Sequence, residues 1–250
     1  MNETAGPPPA AVETRGLAKS FGAIQALAGL DLCLPAGESV AVFGPNGAGK
    51  TTLIRLLTLA LRPTAGSFRI AGLEPRRDER EIRARIGVIS HHTYLYDDLT
   101  ARQNLEFFGR LYGVAAPRER AEELLELVGL AARADDAAGG FSRGMQQRLS
   151  LARALVHEPS IVFLDEPFTG LDPHGARSLR LTLERLRAER RTVVLVTHNL
   201  GEGLELCERW LILARGRLLA DGRSADADPA AFERHYFERL ERGRPARVPA

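Results

Sequence analysis

Short apolar runs at Ser39–Phe43, 160–164, Thr192–Val196 and 210–213 punctuate the chain, and segments with apolar residues at helical spacing separate them. Strands alternating with helices predict a mainly parallel sheet in an α/β fold. The first forty residues read differently, as alternating segments over 12–20 and 24–34 broken by Gly16, Gly22 and Gly29. That pattern predicts a small antiparallel sheet beside the main one. From about 99 to 158 the strand signals vanish and helices are expected over 101–112, 117–128 and 145–156, with Leu124, Leu125, Leu127 and Val128 on one face of the second. This reads as a helical insertion. Asp228 and Pro229 mark the start of a peripheral C-terminal helix, after which the Pro- and Arg-rich RPARVPA reads as disordered. The expected division is a flexible leader over 1–10, a core over 11–98, a helical subdomain over 99–158, a second part of the core over 159–226, and a helix and tail over 227–250. No repeat or low-complexity segment interrupts this order apart from a short triproline.

The first candidate for chemistry lies between the strand at Ser39–Phe43 and a helix. Gly44, Pro45, Asn46, Gly47, Ala48, Gly49, Lys50 and Thr51 fit the pattern G-x-x-x-x-G-K-[ST] in the strand-loop-helix context that it requires. Glycines there let backbone N–H groups turn inward around phosphate oxygens at the positive end of a helix. Lys50 is then placed for the β- and γ-phosphates of ATP, and the Thr51 hydroxyl for Mg2+, with Thr52 next in the helix. Lysines occur only at positions 19 and 50, in a chain that otherwise uses arginine. A lysine here indicates a compact point charge where a planar guanidinium does not fit.

A second strand ends in Asp165 and Glu166 at the sheet edge where α/β folds bind ligands. Asp165 is a candidate to hold Mg2+ through water, and Glu166 to polarise the attacking water. His198, ending the third strand, is a candidate partner of the γ-phosphate at the same edge.

Composition narrows the class without directing it. Hydrophobic residues at 44% and charged residues at 26% describe a globular protein rather than a disordered one. A net charge of +2 gives no electrostatic case for a nucleic-acid partner. Cys33 and Cys207 have no metal-ligand spacing and read as small buried hydrophobes. The first ten residues lack the pattern of a signal peptide, and the most apolar helix, 53–61, is broken by Arg55 and Thr58. A membrane role therefore requires a partner chain. His157, His174 and His235 fall in helical patterns and read as surface residues.

Taken in order, these motifs make the chain resemble the nucleotide-binding subunit of an ATP-binding cassette (ABC) transporter over nearly its whole length. The fold implied is a P-loop NTPase core of the ABC type, with an antiparallel side sheet and a helical insertion. Phe21 resembles the aromatic residue that stacks on adenine, the alternative being a core phenylalanine. The run FSRGMQQR, from Phe141 to Arg148, resembles the family signature. The resemblance implies that two copies sandwich two ATPs, with Ser142 and Gly144 of one facing the γ-phosphate held by the other. Asp172 resembles the dimer-interface aspartate and His198 the switch histidine.

Three positions depart from the family pattern. Arg143 replaces a second glycine, either adding charge at the γ-phosphate or pointing to solvent, and Met145 replaces a glutamine. His91 stands where a magnesium-sensing glutamine is usual. A neutral imidazole accepts a hydrogen bond from metal-bound water, whereas Mg2+ itself prefers oxygen ligands. The segments SHHTYLYDDLT, FSRGMQQRLSLARAL and DEPFTGLD further resemble the ATPase of the cytochrome c maturation system, or haem exporter; drug, lipid and polysaccharide exporters share parts of them. The resemblance implies a peripheral ATPase on the cytoplasmic face of the cell membrane. It would work as a homodimer with separate transmembrane permease subunits, contacted near 93–104, and without nucleic acid. Soluble cassette ATPases acting on ribosomes or DNA usually carry two cassettes or a long coiled-coil insertion, which this chain lacks. A regulatory cassette that does not hydrolyse ATP is disfavoured by Glu166.

Overall fold

A computed structural model describes residues 10–90 and 92–242. The leader expected over 1–10 lies outside the described residues except for Ala10, and so do His91 and the end of the tail, 243–250.

Strands β1 (Ala10–Phe21) and β2 (Ile24–Pro35) form the expected hairpin. β3 (Ser39–Phe43) leads through the glycine loop into helix α1 (Lys50–Leu57). There follow β4 (Ala65–Ile70), α2 (Glu79–Arg85) and β5 (Ile86–Ile89), then the helices α3 (Ala101–Tyr112), α4 (Pro117–Leu127) and α5 (Arg143–Leu155). The chain continues through β6 (Ile161–Asp165), α6 (Pro173–Ala188), β7 (Thr192–Val196), α7 (Leu200–Leu206), β8 (Arg209–Ala214), β9 (Arg217–Arg223) and α8 (Pro229–Arg242).

Two sheets result. The side sheet, ordered β2-β1-β4, is antiparallel; the central sheet, ordered β5-β6-β7-β3-β8-β9, is parallel except for β9. β4, β5 and β9 are strands that the sequence pattern did not indicate. All three are short or half-exposed elements whose pairing with a neighbour, rather than their own periodicity, defines them.

The central strands are buried on both faces, which is why they read as continuous apolar runs. Their side chains alternate between two cores. Ala41, Phe43, Val162, Leu164, Val193 and Leu195 face the helical side, while Val40, Val42, Ile161, Phe163, Val194 and Val196 face the side sheet and α1. Phe163 is fully buried, and truncating it to Ala costs about 3–5 kcal/mol.

The helical region is fixed by its caps. Thr100 and Gln103 make a reciprocal capping box at the start of α3, and Gly113 ends that helix in the left-handed conformation. Asn104 is fully buried, accepts from the Tyr96 N–H and donates to the Tyr96, Leu99 and Thr100 carbonyls, so the preceding loop is sewn to the helix. The C-terminal helix is more than peripheral: Phe232 is buried against Phe43 and Trp210, pinning α8 to the central sheet.

Two expectations from the sequence fail on packing. Cys33 lies on the outward face of β2 and is exposed, whereas Cys207 is buried. His157 is no surface residue: it follows α5, its Nε2 lies 3.0 Å from the Ile86 carbonyl oxygen, and its ring stacks on Tyr112 at 3.9 Å. His235 is half-buried, with its ring 5.9 Å from that of Trp210, and the side chain of His174 lies outside what the structure describes.

Candidate nucleotide site

The central position of β3 decides the geometry. Its parallel neighbours are β7 and β8, and β6 pairs with β7, so the C-terminal ends of β3, β6 and β7 share one edge. Asp165 is in register with Val196, the Glu166 N–H donates to the Val196 carbonyl at 2.9 Å, and the Thr197 N–H donates to the Val42 carbonyl. Gly44, Asp165, Glu166, Thr197 and His198 are thereby brought together from three separate segments.

The loop over 44–49 is built for close approach. A β-carbon on Gly44 would stand 2.1 Å from the Leu213 carbonyl oxygen, and one on Gly49, at φ +103°, would stand 2.4 Å from that of Ala26. Only glycine fits at either position. Gly49 caps α1 with no side-chain hydrogen bond, and the Leu53 N–H is the first to bond back, to the Gly49 carbonyl. The N–H groups of Lys50, Thr51 and Thr52 therefore begin a helix with no partner inside it, forming a cradle suited to phosphate.

Lys50 is only 8% exposed. Its Nζ donates to the Gly44 carbonyl at 2.5 Å and the Pro45 carbonyl at 3.1 Å. Burial lowers its pKa, and the nearby charges of Glu166 and Asp165 oppose that shift. Asp165 is 5% exposed and, among the described residues, accepts no hydrogen bond and forms no ion pair. A carboxylate without a side-chain partner at this edge suits a hard divalent cation, which takes oxygen ligands from one or two protein groups and the rest from phosphate and water.

Glu166 adopts φ +52°, unusual for a residue with a side chain, and its Oε2 lies 2.7 Å from His198 Nδ1. The two candidates read separately in the sequence are thus a pair. Phe21 is 46% exposed at the end of β1, with Lys19 Nζ 5.1 Å above its ring, so the core alternative is excluded.

The signature residues sit elsewhere. Ser142 caps α5 by accepting from the Met145 N–H, and Asp172 caps α6 by accepting from the Gly175 N–H at 2.7 Å. A β-carbon on Gly144 would stand 3.8 Å from Asp172 Oδ1. Arg143 lies along Gly170, where a β-carbon would meet its Nε at 2.9 Å; this packing between the signature and the segment after Glu166 left no signal in the sequence. Among the described residues, no hydrogen bond links Ser142 or Gly144 to the loop over 44–51.

The fold and its glycine loop define a P-loop ATPase. Residues 27–169 match the ABC transporter family. The daunorubicin resistance ATP-binding protein DrrA3 of Streptomyces coeruleorubidus is 42% identical over 214 residues, covering 85% of this chain and 68% of that protein. The Nod factor export ATP-binding protein I of Paraburkholderia xenovorans is 41% identical over 217 residues, covering 86% and 71%. NatA, an ABC transporter ATP-binding protein of Bacillus subtilis, is 36% identical over 202 residues, covering 80% and 82%. An ATP-binding subunit of an ABC transporter superposes with a TM-score of 0.84 at 28% identity over 92% of this chain and 99% of that one. The cassette MJ0796, in a dimeric post-hydrolysis state bound to ADP and Pi, gives 0.78 at 29% identity over 85% and 98%. The chain belongs to the ABC transporter family, as an ATP-binding and ATP-hydrolysing subunit.

Proposed function

We propose that this chain powers an ABC exporter for drugs, lipids or polysaccharides. The observation that carries the reading is the gathering of the loop over 44–51, Asp165, Glu166 and His198 at one sheet edge, in a chain whose relatives include drug-resistance and Nod factor export ATPases. Neither of these relatives, nor NatA, is named as a haem exporter. The cytochrome c maturation reading finds no support among them, and the exporter alternative takes its place.

In this reading the loop N–H groups and Lys50 hold the phosphates, and Phe21 stacks on the adenine. Thr51 and Asp165 hold Mg2+, which when bound offsets the charge on the β- and γ-phosphates. Glu166 polarises the attacking water, and His198 holds the Glu166 carboxylate in place. Ser142 and Gly144 of a second copy supply hydrogen-bond donors to the γ-phosphate, and Asp172 lies at the same interface. Hydrolysis is then a property of a homodimer. His91 lies outside the described residues, and its proposed contact is with metal-bound water. Among the described residues no helix is long and apolar enough to cross a membrane, which fits a subunit held at the cytoplasmic face by a separate permease.

Purification from detergent-solubilised membranes, with identification of the partner and transport into inverted vesicles, tests the reading. A permease partner and ATP-dependent uptake of an amphipathic drug or lipid support it. Loss of c-type cytochromes in a Glu166→Gln strain would return the case to haem handling.

A further inference from the structure

Arg180, on α6, reaches toward both sides of the Glu166 and His198 pair. One guanidinium nitrogen donates to Glu205 Oε2 at 2.5 Å, and the other lies 3.6 Å from Glu202 Oε1. The guanidinium carbon stands 5.9 Å from the centroid of the Phe168 ring. Phe168 follows Glu166 by two positions, in a turn where the Thr169 N–H donates to the Glu166 carbonyl. Glu202 follows His198 by four, in the first turn of α7, where its own N–H donates to Asn199 Oδ1. A single side chain therefore touches the segments that carry both members of the pair.

Glu202 is the group this contact controls. Its side chain is only 19% exposed, and among the described residues Arg180 is its one ion-pair partner. Burial is the main cause raising its pKa; Arg180 and His198 oppose the shift, while Glu205 and Glu166 add to it. Glu202 is thus within electrostatic reach of both His198 and Glu166. His198 is 75% exposed just past the end of β7, so its ring has room to turn. A half-enclosed carboxylate deprived of its cation takes up the nearest donor, because leaving it unpaired is costly. The ring N–H of His198 is such a donor. Ion pairs this open to solvent add little to stability, so what Arg180 changes is the geometry of the pair.

We propose that Arg180 is a positioning residue for ATP hydrolysis: by occupying Glu202, it keeps that carboxylate from competing with Glu166 for His198. This rests on the reading of Glu166 as the group that polarises the attacking water. Glu205 and the Phe168 ring fix the guanidinium where Glu202 meets it. Among the described residues Arg180 makes no hydrogen bond to Glu166 or His198, so it acts on them through Glu202.

The test measures steady-state ATP hydrolysis by the purified chain carrying Arg180→Met, which keeps an apolar stem against Phe168 and removes the charge. kcat is expected to fall about tenfold with KM for ATP little changed. Arg180→Lys should recover most of the loss, since a 3.6 Å contact needs a charge rather than a planar fork. Adding Glu202→Gln to Arg180→Met is expected to raise the rate again, because a neutral amide competes weakly for the imidazole. A merely structural role for Arg180 predicts a further loss in that double variant. In a His198→Ala background, Arg180→Met should cost less than about twofold, since the two act as one unit. If Arg180→Met does not fold, Arg180→Gln takes its place in the same measurements. An unchanged kcat in Arg180→Met, a double variant no faster than Arg180→Met, or an undiminished loss in the His198→Ala background each overturns the proposal. Unchanged turnover in Glu166→Gln overturns instead the reading on which it rests.

Discussion

His198 and Glu166 lie 32 positions apart in sequence and meet side chain to side chain, Nδ1 to Oε2, at 2.7 Å. The pair exists because β6 and β7 are neighbours in register, and because the Glu166 N–H bonds the Val196 carbonyl at the strand end. A base held by a second group is oriented before substrate arrives. Glu166→Gln is therefore expected to lower the rate of phosphate release by about 100- to 1,000-fold while leaving ATP bound in a dimer detectable by gel filtration. His198→Ala should lower the same rate by about tenfold or more with ATP affinity little changed. Unchanged turnover in Glu166→Gln would remove it from the role of base.

Lys50 fills a buried position between two backbone carbonyls at the start of α1. Lys50→Ala removes charge-assisted hydrogen bonds worth about 1.5–3 kcal/mol, so ATP affinity should fall about 10- to 100-fold in a fluorescent-nucleotide titration. Lys50→Arg should not recover it, because the planar fork does not fit a site this enclosed. Gly44→Ala should lose binding and stability together, since its β-carbon would overlap the Leu213 carbonyl.

His157 supplies a pH dependence of stability unrelated to catalysis. Burial is the main cause lowering its pKa from 6.5 to about 4, and the charges of Arg153, Arg120 and Arg191 add to it. With the folded pKa below the unfolded one, its contribution is fully present above about pH 6.5. It is lost as pH falls toward 4, because the unfolded chain takes up a proton that the folded chain refuses. Discounting for its partial exposure, the loss is about 2 kcal/mol. Urea unfolding at pH 7 and pH 5 should show a decline that His157→Gln flattens.

The two cysteines should label differently. Cys33 is exposed, while burial pushes the Cys207 thiol up to about 12, leaving almost no thiolate at neutral pH. A chromogenic disulfide reagent should titrate one thiol in the native chain and two in denaturant.

Much of the fold was legible in the sequence because its elements are set by local rules. The buried strands appear as apolar runs, and α3 is bounded by its own capping box and Gly113. The glycine loop was legible for the same reason, since the backbone turn and its residues coincide. β4, β5 and β9 were not, because they owe their strand form to neighbours brought from elsewhere in the chain. The burial of His157 was equally hidden, because its partners, Ile86 and Tyr112, are 71 and 45 positions away and belong to no periodic pattern.

By itself the sequence marked the loop over 44–51 as the candidate phosphate cradle, since a glycine-rich turn, a lysine and a helix start are contiguous there. Tertiary structure alone decided that Glu166 and His198 are partners, that Arg143 rests on Gly170, and that the Arg153 guanidinium lies over the Tyr94 and Phe108 rings. These relationships depend on which strands and helices become neighbours. The driving force for that choice is burial of apolar surface, which is non-directional and leaves no short motif along the chain.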